Sequence, residues 1–167
     1  AAGCGLACIA MLAGRHGRAL DLPGLRRRFN ASLKGATLHD LSRLGGELGL
    51  ATRGLRLELG DLARLRLPCI LHWNHNHFVV LTEVRARDVV ILDPSFGRRT
   101  VPLDEVSRRF TGVALEAWPT ERFEKKDERL RIGVFDLLRR TRGVGGAIAQ
   151  AFTLSALIGL TGIAAPI

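Results

Sequence analysis

The sequence changes character near residue 50, and this change constrains the fold more than any other feature. Before it, apolar residues recur at helical spacing, as in Leu38, Leu41, Leu44 and Leu48, which lie on one face of a helix. After it, short runs rich in Val, Ile and Leu are separated by polar turns, as expected of antiparallel neighbours in a buried sheet. The sequence therefore predicts an α+β fold in which helices come first and an antiparallel sheet follows.

Capping and turn residues set the predicted ends of these elements. Asp21 caps a second helix that ends near Asn30, and Thr37 begins a third with a capping box in which Asp40 replaces glutamate. Strands are predicted over 54–59, 69–73, 77–84, 88–92, 98–101 and 113–118. A short helix over 103–110 precedes the last strand.

The first helix, predicted from residue 4 onward, opens on a thiol. Ala, Leu and Met favour helix here, and Gly3 and Gly5 lie where the chain turns into it. At a helix N-terminus the unpaired N–H groups and the helix dipole favour a thiolate, so Cys4 is a candidate nucleophile. The alternative is that Cys4 is a small buried apolar residue, as many cysteines are.

A histidine follows a polar run and begins a wholly apolar strand. His77 therefore lies at the mouth of its strand, where it could face a cleft and act as general base and acid. The alternative is a solvated turn residue. A zinc site is a second alternative, because His72, His75 and His77 with Cys69 are common zinc ligands. In an extended chain, however, His72 points away from the other two, and no second ligand pair of the Cys-x-x-Cys kind exists.

An aspartate ends the strand predicted next to that of His77. Asp93 could accept a hydrogen bond from the imidazole and fix its tautomer, or it could be an ordinary turn residue, since Asp-Pro favours turns. Together, Cys4, His77 and Asp93 follow the Cys, His, Asp order of papain-like proteases on a chain of helices followed by a sheet.

The composition of the chain argues against some classes of function. Lys and Arg number 25 against 16 Asp and Glu, which gives a net charge of +9. The arginines are scattered over helix faces, and seven Phe, two Trp and no Tyr offer few stacking platforms, so nucleic acid is not an expected partner. Three cysteines suggest no disulfide framework and favour a reducing compartment.

The end of the chain is predicted to differ from its start. Residues 120–143 are interpreted as a charged linker with an amphipathic helix, whose apolar patch lies within 132–138. Residues 144–167 carry no charged side chain and as a helix could cross a hydrocarbon core of about 30 Å, although a buried core helix is the alternative. Arg139, Arg140 and Arg142 before this stretch would place the preceding domain, residues 1–119, in the cytoplasm.

Four motifs in order resemble the C39 peptidase domain of bacteriocin-exporting ABC transporters, the colicin V exporter type included. The first motif is residues 4–8 with Met11 and Gly17, the second is residues 68–73, the third is residues 77–81, and the fourth is residues 93–94 with Gly97. The resemblance covers residues 1 to about 118 and extends into the linker and first membrane span. It implies a papain-like fold in which Cys4 is the nucleophile, His77 the base and acid, and Asp93 the orienting residue.

The resemblance also implies which partners the chain has and where it acts. The expected partners are a precursor peptide cut after a Gly-Gly pair, the bacterial inner membrane, and the rest of an ABC transporter that forms a homodimer. No phosphate-binding loop motif occurs, so ATP and Mg²⁺ are expected only beyond Ile167, and the segment itself needs no cofactor or metal. Relatives that lack the cysteine dock leaders without cutting them, which is the alternative function.

Two departures from the family pattern concern the N-terminal side of Cys4. Family members usually carry an acidic residue before the cysteine, where this chain has Gly3. They also carry an upstream glutamine that helps to hold the oxyanion, so we expect residues before Ala1 to supply it. Loss of one oxyanion donor can lower the rate by about 10²–10³-fold.

Overall fold

Helices occupy the N-terminal part, as the apolar spacing predicts. The computed structural model describes residues 3–29, 36–129 and 144–163. The first helices are α1 (Cys4–Arg15), α2 (Leu22–Phe29) and α3 (Leu38–Glu47). Both predicted caps are confirmed. Asp21 Oδ2 accepts the N–H of Gly24 at 3.0 Å, and Thr37 and Asp40 form a reciprocal capping box.

A six-stranded antiparallel sheet follows and confirms the predicted fold class. Its strands are β1 (Leu50–Arg56), β2 (Cys69–Trp73), β3 (His77–Val84), β4 (Asp88–Asp93), β5 (Gly97–Pro102) and β6 (Phe110–Pro119). Their order is β1-β6-β2-β3-β4-β5. A 3₁₀-helix, Leu59–Arg64, follows β1, and α4 (Leu103–Arg109) precedes β6.

The first strand lies several residues earlier than the prediction of 54–59. Pairing with β6 runs from Leu50 opposite Pro119 to Arg56 opposite Val113, so residues 50–53 gain strand partners that local alternation does not reveal. Glu58 instead serves as the N-cap of the 3₁₀-helix. Long-range pairing therefore overrides the local pattern at this strand.

Both faces of the sheet are covered. One apolar cluster joins Leu6, Ile9 and Leu12 of α1 to Ile70 and Val80 of the sheet, with residues of α2 and α3 packed around them. The opposite face holds a second cluster that includes Leu62 of the 3₁₀-helix and Val106 of α4. Because α1 packs across β3, the helix that begins at Cys4 and the strand that begins at His77 are held together by the first cluster.

The segment after β6 returns to the N-terminal helices. The chain divides into two compact units, Ala1–Leu130 and Arg131–Ile167, and residues 120–129 belong to the first. Ala19 and Asp127 form a parallel bridge. Arg18, which is buried, donates through Nε to Glu128 Oε1 at 2.9 Å and through Nη1 to the carbonyl of Leu48 at 3.0 Å. These bonds attach the segment to the first unit, whereas the predicted apolar patch within 132–138 lies outside the described residues.

The second unit contains α5 (Val144–Ile163). Among the described residues no helix is long and apolar enough to cross a membrane, so the predicted span over 144–167, of which 164–167 lie outside the described residues, is not shown. The alternative of a buried core helix is also not supported, because Phe152 and Leu157 are exposed.

A pH dependence of stability follows from a half-buried histidine at the end of α1. His16 Nε2 is buried and makes no hydrogen bond within the described part of the chain. Burial lowers the pKa of His16 from its usual value of 6.5, and the charges of Arg66 and Arg15 lower it further. As the pH falls below 6.5, the unfolded chain binds the proton first, so the free energy of unfolding decreases.

We therefore expect chemical denaturation to give a lower free energy of unfolding at about pH 5.5 than at about pH 7.5. A His16→Leu variant, which cannot titrate here, should lose less stability between the two pH values than the wild type. Equal losses in the two proteins would contradict this assignment. His72, whose pKa is lowered mainly by burial, accounts for part of the loss that remains.

Candidate active site

Cys4 is the first residue of α1, and it is half-buried. Gly3 is the N-cap, and its carbonyl accepts the N–H of Ala7 at 3.0 Å. The first N–H groups of a helix have no partner within the helix, and the helix dipole is positive at this end. Negative charge that develops beside Cys4 during attack on a carbonyl would therefore be stabilised by the backbone itself.

His77 and Asp93 form a hydrogen bond that links two neighbouring strands. Because β3 and β4 are antiparallel, the start of β3 lies beside the end of β4. His77 Nε2 is 3.0 Å from Asp93 Oδ1, and the side chains are 17% and 4% exposed. Asp93 Oδ1 also accepts the N–H of Ser95 at 2.8 Å, and this second bond helps to fix the orientation of the carboxylate.

The hydrogen bond assigns the tautomer of the imidazole. A carboxylate oxygen can only accept, so His77 Nε2 carries the proton in the bond to Asp93. Nδ1 of neutral His77 then keeps its lone pair and can take a proton from a thiol. The hydrogen bond between His77 and Asp93 that the sequence predicts is thus observed.

The turn that precedes His77 contains two residues with positive φ values. Asn74 and His75 adopt φ values of 49° and 60°, a left-handed conformation that few residues other than glycine tolerate. The N–H of Asn74 donates to the carbonyl of Arg109 at 2.8 Å, and Trp73 pairs with His77 across the hairpin. The turn thus sets where β3 begins.

The second cysteine of α1, Cys8, lies close to Cys4. Cys8 is buried one turn further along the helix. Its pKa is raised mainly by burial, and further by the charges of Cys4 and Asp93. Cys4 and Leu92, the residue before Asp93, pack against the same apolar cluster as Cys8, on the side of the sheet that α1 covers.

The three thiols differ in accessibility. Cys8 and Cys69 are fully buried, and burial together with the nearby Glu116 raises the pKa of Cys69 to about 12. A thiol that stays protonated in a dry environment reacts slowly. Cys4 is half-buried rather than enclosed, so it is the cysteine that a substrate or an alkylating reagent can reach.

A groove runs beside α1 in the first unit. It has a volume of about 620 Å³, and Arg15, Glu83 and Arg98 contribute charged groups to its lining. Its apolar lining consists of Met11, Leu12, Leu67, Pro68, Val80 and Leu92. Cys4, His77 and Asp93 are not among its lining residues, but the mixed apolar and charged lining is suited to an amphipathic peptide.

The histidines do not assemble a metal site. Among residues 3–29, 36–129 and 144–163, no three His, Cys, Asp or Glu side chains are grouped so that they could hold a metal ion. His72 instead lies 2.8 Å through Nδ1 from Thr111 Oγ1, and that hydroxyl donates to the His72 carbonyl at 3.2 Å. His72 thus has a structural partner in β6.

Comparison with known proteins identifies the family. Residues 1–122 match the family model described as the peptidase C39 family. The chain belongs to this family. Two Escherichia coli proteins are similar over 98% of the chain: a colicin V secretion/processing ATP-binding protein at 44% identity and a probable microcin-H47 secretion/processing ATP-binding protein at 43%. The chain spans 24% of the length of each.

Solved structures agree with the C39 fold. A double glycine motif protease from an AMS/PCAT transporter, in complex with the leader peptide, is 34% identical with a TM-score of 0.68. That match covers 72% of this chain and 86% of the other. The peptidase domain of Streptococcus ComA, at 24% identity and a TM-score of 0.65 over 71% of this chain and 93% of that domain, shares the fold.

The departure of this C39 chain at Gly3 has a structural counterpart that the sequence did not reveal. A Cβ at position 3 would lie 2.6 Å from Nη2 of Arg26 on α2. Because this is the far end of a flexible side chain, a larger residue could displace it. The guanidinium thus lies next to the residue before Cys4, where an acidic side chain would meet a positive charge.

Proposed function

We propose that the chain is the cysteine-peptidase domain of a peptide-exporting ABC transporter and removes the leader of a precursor after a Gly-Gly pair. The observation that carries this proposal is the hydrogen bond from His77 Nε2 to Asp93 Oδ1. It occurs in a chain of the C39 family whose α1 begins at Cys4.

In the first half of the reaction, His77 Nδ1 takes the proton of the Cys4 thiol. The sulfur then attacks the carbonyl carbon of the second glycine and forms a C–S bond. The N–H groups at the start of α1 stabilise the oxyanion. When the C–N bond breaks, the imidazolium gives its proton to the leaving amine, which becomes the new N-terminus of the cargo.

The second half releases the leader. Water attacks the thioester while His77 again takes a proton, and the C–S bond breaks to give a leader that ends in a glycine carboxylate. Asp93 accepts a hydrogen bond from Nε2 throughout, which stabilises the imidazolium. A pair of glycines fits if the cleft beside Cys4 is too narrow for side chains.

The groove beside α1 supports binding of the leader. Its apolar lining and its three charged residues suit an amphipathic peptide segment that precedes the Gly-Gly pair. The similar double glycine motif protease was solved with a leader peptide bound, which supports the same class of ligand here.

The proposed setting is a bacterial ABC transporter with this domain on the cytoplasmic side. The two Escherichia coli relatives are secretion/processing ATP-binding proteins, which supports an attached transporter, and we propose that the complete protein acts as a homodimer. ATP and Mg²⁺ would serve the transporter portion, while the peptidase step depends on Cys4, His77 and Asp93.

The test is cleavage of a synthetic Gly-Gly leader peptide by the complete protein, with the product mass measured. Wild type should cut after the second glycine, and Cys4→Ala should give no product. Cys69→Ala, which removes a buried thiol of β2, is the matched control and should cut at a rate close to the wild type. Iodoacetamide should inactivate the wild type by alkylating Cys4, because Cys8 and Cys69 are buried.

Equal cleavage by wild type and Cys4→Ala would contradict the proposal. Binding of the leader peptide without any thiol-dependent product would instead indicate a docking domain. The presence of Cys4, His77 and Asp93 together favours the peptidase.

A further inference from the structure

Glu116 is a buried carboxylate that the proposed reaction does not use. It lies in β6, between β1 and β2 in the sheet, and its side chain is only 1% exposed. A buried charge is costly unless ion pairs and hydrogen bonds compensate it. Replacement of a buried ion pair by apolar side chains is often neutral or even stabilising. The contacts of Glu116 therefore indicate a role in fixing local geometry rather than in stability alone.

The two oxygens of this carboxylate have different partners. Oε2 accepts from Nε and Nη2 of Arg53 on β1, at 3.0 Å and 2.7 Å, and the Arg53 side chain is 61% exposed. Oε1 accepts the backbone N–H of Arg66 at 2.6 Å. Hydrogen bonds to an ionised acceptor are stronger than those between neutral groups. Glu116 thus ties β6 to the chain between the 3₁₀-helix and β2.

This connection passes from one face of the sheet to the other. Leu65 belongs to the apolar cluster on the face opposite α1, whereas Leu67 and Pro68 line the groove beside α1. The N–H that donates to Glu116 belongs to Arg66, between these two parts. The bond therefore holds the connection at the residue from which it enters the groove.

Leu67 and Pro68 form one wall of the groove. Leu67 is 37% exposed, and Met11 and Leu12 of α1 belong to the same lining. The position of the wall relative to α1 sets the width available to a peptide. Because Pro68 has no backbone N–H to donate, the bond from the N–H of Arg66 contributes strongly to fixing this wall.

We propose that Glu116 is a positioning residue for the precursor. Through the N–H of Arg66 it holds Leu67 and Pro68 in the conformation that binds the leader. Glu116 does not touch the peptide, so its loss weakens binding of the leader and leaves the chemical step at Cys4 unchanged. This inference rests on the proposed function and adds a residue that acts on the groove from within the sheet.

The test measures cleavage of a Gly-Gly leader peptide by the complete protein over a range of peptide concentrations. Glu116→Leu removes the acceptor of the Arg66 N–H and should raise KM by about 5–20-fold, with kcat within about twofold of the wild type. Glu116→Gln keeps an oxygen that can accept this N–H. Its KM should therefore stay within about twofold of the wild-type value.

A second variant breaks the same bond from its exposed end, where folding is less at risk. Arg66→Pro removes the donor N–H, and Leu65 has the extended backbone that a following proline requires, with φ −71° and ψ 144°. Arg66→Ala, its matched control, keeps the N–H but loses the guanidinium that lies over Trp118. KM should rise in Arg66→Pro and not in Arg66→Ala. Combined with Glu116→Leu, Arg66→Pro should cause no further rise, because both remove one bond.

Arg53→Ala separates positioning from stability. It removes the partner of Oε2 but leaves the bond from Arg66 to Oε1. The free energy of unfolding should fall, because a buried carboxylate loses its ion pair, while KM stays near the wild-type value. Equal rises of KM in Arg53→Ala and Glu116→Leu would overturn the inference, since binding would then follow stability alone.

Binding of the leader in a Cys4→Ala background distinguishes failure of this inference from failure of the proposed function. Adding Glu116→Leu or Arg66→Pro should weaken binding by a factor similar to the rise in KM, whether or not Cys4 is the nucleophile. Unchanged dissociation constants in both variants, with cleavage by the wild type intact, would overturn the inference and leave the proposed function standing.

Discussion

Replacement of His77 by alanine is expected to lower kcat for Gly-Gly cleavage by about 10²–10⁴-fold, the usual contribution of a general acid and base. The variant keeps Cys4 at the start of α1 but has no group to take the thiol proton or to protonate the leaving amine. KM should change much less, because His77 is assigned no part in binding the leader. Cleavage rates under saturating peptide, with circular dichroism as a check on folding, measure the effect.

Asp93 variants serve as the matched series for this prediction. Asp93→Ala removes the acceptor of both His77 Nε2 and the Ser95 N–H, so kcat should fall strongly. Asp93→Asn should retain more activity, because its amide oxygen can still accept both bonds. The double variant His77→Ala/Asp93→Ala should be no worse than His77→Ala alone, since Asp93 acts through the imidazole. A His77→Ala protein with more than about a tenth of wild-type kcat would contradict the assigned role.

Replacement of Ile9 by alanine is expected to reduce the free energy of unfolding by about 2–5 kcal/mol. Ile9 is fully buried in the cluster that joins α1 to the sheet, and the loss combines the lost burial with the cavity left behind. Ile9→Val, the matched control, removes one methylene and should cost about 0.5–1.5 kcal/mol. Denaturant titration followed by circular dichroism measures both. A cost below about 1 kcal/mol for Ile9→Ala would mean that α1 is not anchored by this cluster.

The sequence predicted those parts of the fold that depend on local chemistry. The strands that begin at Cys69 and His77 have the predicted bounds, because each is a run of residues that favour strands and is bounded by polar turn residues. The capping box at Thr37 is similarly local. By contrast, the pairing of residues 50–53 with β6 and the return of Asp127 to Ala19 join residues far apart in sequence, and no local pattern encodes them.

The same distinction between local and long-range features applies to the candidate site. His77 at the mouth of a strand and Asp93 at the end of the next could be chosen from the pattern, and their hydrogen bond is observed. The left-handed backbone of Asn74 and His75, the Ser95 N–H on Asp93 and the position of Arg26 beside Gly3 were not predicted. These features arise from tertiary packing of turns and helix ends. The predicted catalytic roles of Cys4, His77 and Asp93 remain predictions for experiment.

The most direct test of the account is a mass measurement of the acyl-enzyme. The complete protein is mixed with a Gly-Gly leader peptide, and the reaction is quenched in acid. The protein is then digested, and the mass of the peptide that contains Cys4 is measured by mass spectrometry. We predict that the leader acyl group is attached to Cys4 as a thioester in the wild type, and that it accumulates if attack by water is slowed at low pH. Cleavage of the leader with no acyl group on Cys4, or with one on another residue, would contradict the proposal that Cys4 is the nucleophile.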